Sequence, residues 1–133
     1  MPGVIIMLKI NDIEYKSIKK VIKFLPLEAI VDGDERKGKA LNITLETNNF
    51  KLSIETVYDL QWINELKVNA RNDISKYIIG LPYEDKKGWI YFSDKCKCTI
   101  NRINNNTFDF SLSGNFEECD EVLNIEYDDI FEI

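Results

Sequence analysis

The stretch LNITLETNNFKLSIE, residues 41–55, decides the fold class of this 133-residue chain. Apolar residues alternate with polar ones along both of its arms, at Leu41, Ile43 and Leu45 and then at Phe50, Leu52 and Ile54. Because successive side chains of a strand point to opposite faces, this alternation predicts two strands that each bury one face. Asn48 and Asn49 separate the arms, so we predict an antiparallel hairpin here.

The same alternation recurs towards both ends of the chain. Residues 6–10 and 13–17 form the arms of a first predicted hairpin, and Asn11 and Asp12 between them tolerate the positive φ of a type I′ turn. From residue 89 onward the strand pattern returns. Half-polar strands favour antiparallel pairing. The sequence therefore predicts a mainly β fold, an antiparallel barrel or sandwich of about seven or eight strands.

Three segments interrupt this pattern. Residues 19–40 contain a proline and the charged, glycine-containing run 32–39, which predicts a loop between strands. At residues 57–67 apolar residues recur at three-residue spacing, which predicts one short helix of about three turns, with irregular structure as the alternative. Gly114 predicts a bulge or a strand end. No linker divides the chain, so residues 1–133 form a single domain, and a β-rich α+β fold is the alternative class.

The composition excludes several kinds of chemistry. The chain has no histidine, which removes the commonest general base near neutral pH and the commonest metal ligand. Its six glycines are scattered and form no phosphate-binding loop, so nucleotide-dependent enzymes are excluded as well. No apolar stretch reaches the length of about 18 residues that a membrane helix needs, and no export signal is recognisable. We therefore expect a soluble cytoplasmic protein that does not bind membranes.

Three cysteines are candidate metal ligands. Cys96 and Cys98 share one face of a predicted strand, and Cys119 can approach from a later segment. Structural zinc, however, takes four ligands at C-x-x-C spacing, and an unpaired cysteine commonly behaves as a small buried hydrophobe. We therefore expect reduced core cysteines, with no metal and no cofactor.

The sequence offers residues for carboxylate catalysis and for nucleic-acid binding, but another property of the chain opposes each function. Asp128 and Asp129 are nominal acid–base partners, but adjacent strand residues point to opposite faces and do not converge on one substrate. Lys87, Trp89 and Tyr91 interleave basic and aromatic groups as single-strand nucleic-acid binders do, yet the net charge of −6 opposes a phosphate backbone. A carboxylate-based enzyme is kept as the second alternative, and nucleic acid is not an expected partner.

Charge is distributed unevenly along the chain. No lysine or arginine follows Arg102, whereas nine acidic residues do. The last 31 residues therefore carry −9, and because the whole chain carries −6, residues 1–102 carry +3. One explanation is intramolecular: the acidic last strands lie beside the lysine-rich first hairpin, as when a barrel closes its first strand on its last.

The other explanation is that the acidic residues bind a basic protein, since complementary potentials select partners and speed association. The candidate partner-binding residues are Glu117, Glu118, Asp120, Glu121, Glu126, Asp128 and Asp129. Immunity proteins that neutralise a basic toxin domain are similar in charge and size only. The leading hypothesis is a non-catalytic protein-interaction module. The alternative is a small-ligand-binding β-barrel, which requires that four large side chains leave the interior open: Phe108, Phe110, Trp89 and Tyr91.

Overall fold

The computed structural model describes residues 5–31, 33–56, 66–92 and 96–132, and within them it contains eleven β-strands and one 3₁₀ turn, Ser75–Tyr77. The strands are β1 (Ile5–Ile10), β2 (Ile13–Glu14), β3 (Lys19–Val31), β4 (Asp34–Glu46), β5 (Phe50–Thr56), β6 (Arg71–Asp73), β7 (Ile78–Asp85), β8 (Gly88–Phe92), β9 (Lys97–Arg102), β10 (Thr107–Glu118) and β11 (Glu121–Glu132). Strand structure dominates, so the prediction of a mainly β fold is confirmed.

The strands form two antiparallel sheets. Sheet A has six strands in the order β2-β1-β11-β10-β9-β6, and sheet B has five in the order β3-β4-β5-β7-β8. Hairpins supply most neighbours, and β1 pairs with β11, so the first and last described strands lie side by side. Among the described residues no strand of one sheet pairs with a strand of the other, so the sheets do not close into a barrel.

One cluster of buried side chains joins the two sheets in a sandwich-like arrangement. Sheet A contributes alternate residues of its long strands, among them Phe108, Phe110, Leu112, Phe116, Leu123, Ile125, Tyr127 and Phe131. Sheet B contributes every apolar residue of the predicted hairpin, namely Leu41, Ile43, Leu45, Phe50, Leu52 and Ile54. That hairpin, formed by β4 and β5, is therefore confirmed in both its pairing and its buried face.

The predicted loop at residues 19–40 is wrong. β3 and β4 pair along their whole length, from Lys19 opposite Glu46 to Val31 opposite Asp34. Gly33 has φ 84°, an angle that glycine adopts without strain. In the sequence Gly33 follows an aspartate, and Asp-Gly pairs are typical of tight hairpins. The many charges of this segment therefore do not prevent its backbone from forming paired strands.

The predicted helix at residues 57–67 lies outside the described residues except for Leu66 and Lys67, which belong to no helix or strand. In the described part of the chain, helical structure is limited to the 3₁₀ turn. Asp73, two residues before the first residue of this turn, accepts hydrogen bonds from the backbone N (2.9 Å) and Oγ (2.7 Å) of Ser75, and these bonds lower the pKa of the Asp73 carboxyl. No helix among these residues has the length and apolar character needed to cross a bilayer.

Two hairpins have two-residue turns with positive φ at both positions. Asn11 (φ 50°) and Asp12 (φ 68°) join β1 to β2 at the predicted turn, but β2 ends at Glu14 and not at residue 17. Cys119 (φ 51°) and Asp120 (φ 64°) join β10 to β11 in the same way. Both φ values are those of a type I′ turn, whose twist matches that of the strands it joins.

Gly114 marks neither a bulge nor a strand end. β10 and β11 pair without a break through this residue, which lies opposite Ile125. A Cβ atom at Gly114 would lie 2.7 Å from the ring of Phe116, a fully buried core residue. The glycine is needed because the Phe116 ring packs against its backbone.

Replacing Gly114 with alanine is therefore expected to lower the free energy of unfolding by about 1–3 kcal/mol, the usual cost of overpacking a core. Urea denaturation measures this loss. The matched control is Ser113→Ala on the exposed face of the same strand, for which the expected change is within about 0.5 kcal/mol. Equal stability of the two variants would contradict the close contact with Phe116.

Candidate protein-binding site

The seven acidic residues predicted to bind a partner do not form one surface. Asp129 lies in the core, Glu126 and Asp128 lie on the outer face of sheet A, and the other four surround the β10–β11 turn. Each group has a different environment.

Asp129 is a core residue with 0% exposure. Its Oδ2 accepts hydrogen bonds from Lys20 Nζ at 2.7 Å and from the Tyr127 hydroxyl at 2.6 Å. The Lys20 side chain is only 11% exposed, so this ion pair joins β3 of sheet B to β11 of sheet A away from water. Burial, together with the Asp129 carboxylate, raises the pKa of Tyr127. Asp129 therefore links the two sheets and is not available to a partner.

Glu126 and Asp128 lie next to polar residues of neighbouring strands in their own sheet. Glu126 lies directly opposite Lys9 of β1, and Asp128 accepts a 2.5 Å hydrogen bond from the Ser111 hydroxyl of β10. Asp128 and Asp129 point to opposite faces of β11, as the alternation predicts. The pairing of β1 with β11 shows that the first and last strands are neighbours as the intramolecular explanation expects, although the sheets do not close into a barrel.

The four remaining acids form what we call the acidic turn: Glu117, Glu118, Asp120 and Glu121. They lie where β10 and β11 meet, with Glu118 directly opposite Glu121. Asp120 and Glu121 are exposed. The type I′ geometry brings both strand ends together, so four carboxylates are concentrated at one end of sheet A.

A cleft of about 300 Å³, here called the end cleft, lies beside the acidic turn. Its aromatic lining is Tyr83, Trp89 and Phe92, and its charged lining is Asp85, Lys87 and Glu121. The β7–β8 hairpin supplies one wall and the start of β11 supplies the other. The Asn11 side chain holds the β1–β2 turn against this second wall, donating to Val122 O at 3.2 Å and accepting from Asn124 N at 2.8 Å.

Large apolar side chains are exposed at this end of the molecule. Trp89 is 65% exposed and Val122 is 45% exposed, and both line the end cleft. The sequence left open whether Trp89 occupies the interior or the surface. The alternation of β8 carried the missing signal. Phe92 points into the core, and successive strand residues point to opposite faces, so Tyr91 and Trp89 face outward.

Charges compensate one another along one row of sheet B. Directly opposed residues on the outer face alternate in sign across four neighbouring strands: Lys19, Glu46, Lys51 and Glu84. Opposite charges in such positions stabilise a sheet. At the end cleft, by contrast, burial and then the charge of Asp85 and Glu121 raise the pKa of Tyr83. Asp85 and Glu121 are therefore close enough to Tyr83 to influence its ionisation.

The three cysteines do not converge. Cys98 is buried and pairs with Leu112, whereas Cys119 is exposed in the β10–β11 turn, about 20 Å farther along the strand. Burial raises the pKa of Cys96 to about 11 and raises that of Cys98 as well. Among the described residues no three acidic or cysteine side chains are grouped as metal ligands.

Comparison of the chain with protein-family models, curated proteins and solved structures finds no match, so its function is argued from this geometry.

Proposed function

We propose that this protein is a non-catalytic interaction module that binds a basic protein through the acidic turn and the end cleft. The observation that carries the proposal is that the exposed Trp89 lines the same cleft as Glu121 of the acidic turn. Protein interfaces concentrate their binding energy in aromatic anchors, and charges around such anchors select the partner. Trp89 supplies the anchor and the acidic turn supplies the charges.

The exposure of the acidic turn supports this location. Asp120 and Glu121 are exposed, and Glu121 lines the same cleft as Trp89. A basic partner can therefore reach these carboxylates and the tryptophan together. The three free cysteines suit a reducing compartment, and we place this function in the cytoplasm.

The small-ligand barrel receives less support. Phe108 and Phe110 are buried in the core and fill the space that an interior ligand would need. Trp89 and Tyr91 lie on the outer face of β8, where the Tyr91 hydroxyl donates to Glu55 Oε1 at 3.1 Å. Carboxylate catalysis is also less well supported, because Asp129 is held by Lys20 and Tyr127 in the core.

Two glutamates of β11 provide a matched test. Glu121 is the first residue of the strand and Glu132 is the last, about 35 Å apart. We expect Glu121→Lys to weaken binding of the partner captured from the native host about tenfold, equivalent to about 1.4 kcal/mol, and Glu132→Lys to leave it unchanged. Quantitative pull-down at low and high salt measures both effects. Capture of no partner at low salt, or equal capture by the two variants, contradicts the proposal.

A further inference from the structure

Two aromatic side chains lie next to each other on the outer face of sheet B. Trp89 and Tyr91 are two residues apart in β8, so they point to the same side of the strand and are separated by about 7 Å along it. Both are exposed, Tyr91 by 39%. We call these two residues the aromatic platform. Tyr91 does not line the end cleft, so the platform extends beyond the site proposed above.

The ring of Tyr91 is held in place by the sheet beneath it. It lies over Gly80 of β7, where a Cβ atom would overlap both the ring and its hydroxyl, so glycine is needed at this position. The hydroxyl reaches the next strand, β5, and donates to Glu55 Oε1, whose residue lies directly opposite Gly80. One side of the ring therefore packs against the sheet and the other faces solvent. A side chain that is already ordered loses little conformational entropy when a ligand binds.

The charges around the aromatic platform favour an uncharged ligand. Glu84 lies directly opposite Trp89, and Lys51 lies directly opposite Glu84 on its other side, so these two charges offset each other. Glu55 accepts the hydrogen bond that positions Tyr91. A charged ligand would therefore meet both signs of charge here. An uncharged ligand can use the same carboxylates as hydrogen-bond acceptors.

A sugar combines an apolar ring face with hydroxyl groups around its edge. The C–H groups of that face carry a slight positive charge, which suits the negative face of an aromatic ring. The hydroxyl groups can donate to the carboxylates of Glu55 and Glu84. An extended peptide suits the platform less well, because its backbone N–H and C=O groups would lie over the two aromatic rings without partners.

We infer that the aromatic platform binds a neutral saccharide. One sugar ring stacks on Trp89 and the next stacks on Tyr91, while hydroxyl groups at their edges donate to Glu84 and Glu55. This activity goes beyond the proposed function and uses the outer face of sheet B. It shares only Trp89 with the protein-binding site.

The test titrates two neutral disaccharides, cellobiose and maltose, into the full chain. Amide shifts of Gly80, Glu84 and Tyr91 in NMR spectra report binding at the platform, and saturation transfer from the aromatic rings identifies the sugar C–H groups that contact them. Sorbitol is the matched control, because it carries hydroxyl groups but has no ring that could stack. A proline-rich peptide tests the alternative occupant.

We expect at least one disaccharide to shift these amides and sorbitol to leave them unchanged. Trp89→Ala and Tyr91→Ala are each expected to weaken binding about tenfold. Tyr91→Phe keeps the ring and removes one hydrogen bond, so we expect a loss within about threefold. Val21→Ala removes an exposed apolar side chain from β3, at the far edge of sheet B, and should have no effect. Circular dichroism confirms that each variant is folded.

Several results would overturn the inference. They are the absence of shifts with either disaccharide at its solubility limit, equal shifts with sorbitol, unchanged binding by Tyr91→Ala, and shifts with the proline-rich peptide but with neither sugar. The proposed function is tested separately. Tyr91 lies outside the end cleft, so Tyr91→Ala should leave partner capture unchanged, whereas Glu121→Lys should reduce capture and leave saccharide binding unchanged.

Discussion

Replacing Lys20 with methionine is expected to lower the free energy of unfolding by about 3–5 kcal/mol, the usual cost of leaving one partner of a buried ion pair uncompensated. Asp129 has no exposure, and Lys20 supplies the cation at 2.7 Å. Methionine fills the same space without the charge. Urea denaturation followed by circular dichroism measures the difference.

Two further variants test the cause of this loss. Lys16→Met removes a lysine whose side chain is 84% exposed, and we expect a change within about 0.5 kcal/mol. The double variant Lys20→Met/Asp129→Leu removes both charges and is expected to recover much of the stability, since an apolar pair can replace a buried ion pair. A double variant less stable than Lys20→Met would contradict the assignment of the loss to an uncompensated carboxylate.

Alkaline pH is expected to destabilise the fold steeply. Burial raises the pKa of Cys96 and Cys98 above the ordinary thiol value of 9.0 and that of Tyr127 above the ordinary phenol value of 10.0. The unfolded chain therefore loses these protons at lower pH than the folded chain does. Stability is fully present below pH 9 and falls as pH rises through this range, by about 1.4 kcal/mol per pH unit for each of the deeply buried groups, Cys98 and Tyr127, and by less for the half-buried Cys96.

Measurement of the unfolding free energy between pH 8 and about pH 11 tests this expectation. The loss begins near pH 9 with the two thiols, and Tyr127 adds to it above pH 10. Tyr127→Phe removes one ionising group, so its stability should fall less steeply above pH 10. Parallel curves for the two proteins would show that Tyr127 does not contribute to the pH dependence.

Local patterns predicted much of the fold because they depend only on neighbouring residues. The alternation in residues 41–55 and the turn residues Asn11 and Asp12 both correspond to the structure. The prediction for residues 19–40 was wrong because charged residues indicated a loop. The Asp-Gly pair within the segment is typical of a hairpin, which is what the structure contains. Charge indicates exposure, and strands can be exposed.

The candidate site was less predictable because it depends on contacts between distant segments. The acids of the β10–β11 turn were identified from composition, but the exposure of Trp89 depends on which face of β8 covers the core. Asp129 occupies a core position in the alternation Leu123, Ile125, Tyr127, Asp129, Phe131, which is visible in the sequence. Its partner Lys20 is 109 residues away in the chain, and only the packing of the two sheets reveals it.

The most direct test of the central claim is an NMR map of the surface that the captured partner covers. We expect the largest changes in amide chemical shift at residues 88–89 and 117–122. The indole signal of Trp89 should also move from its position in the free protein. Signals at Thr107 and Glu132, at the opposite end of the β10–β11 hairpin, should stay unchanged. Shifts centred on that opposite end, or on the outer face of sheet A, would contradict binding through the acidic turn and the end cleft.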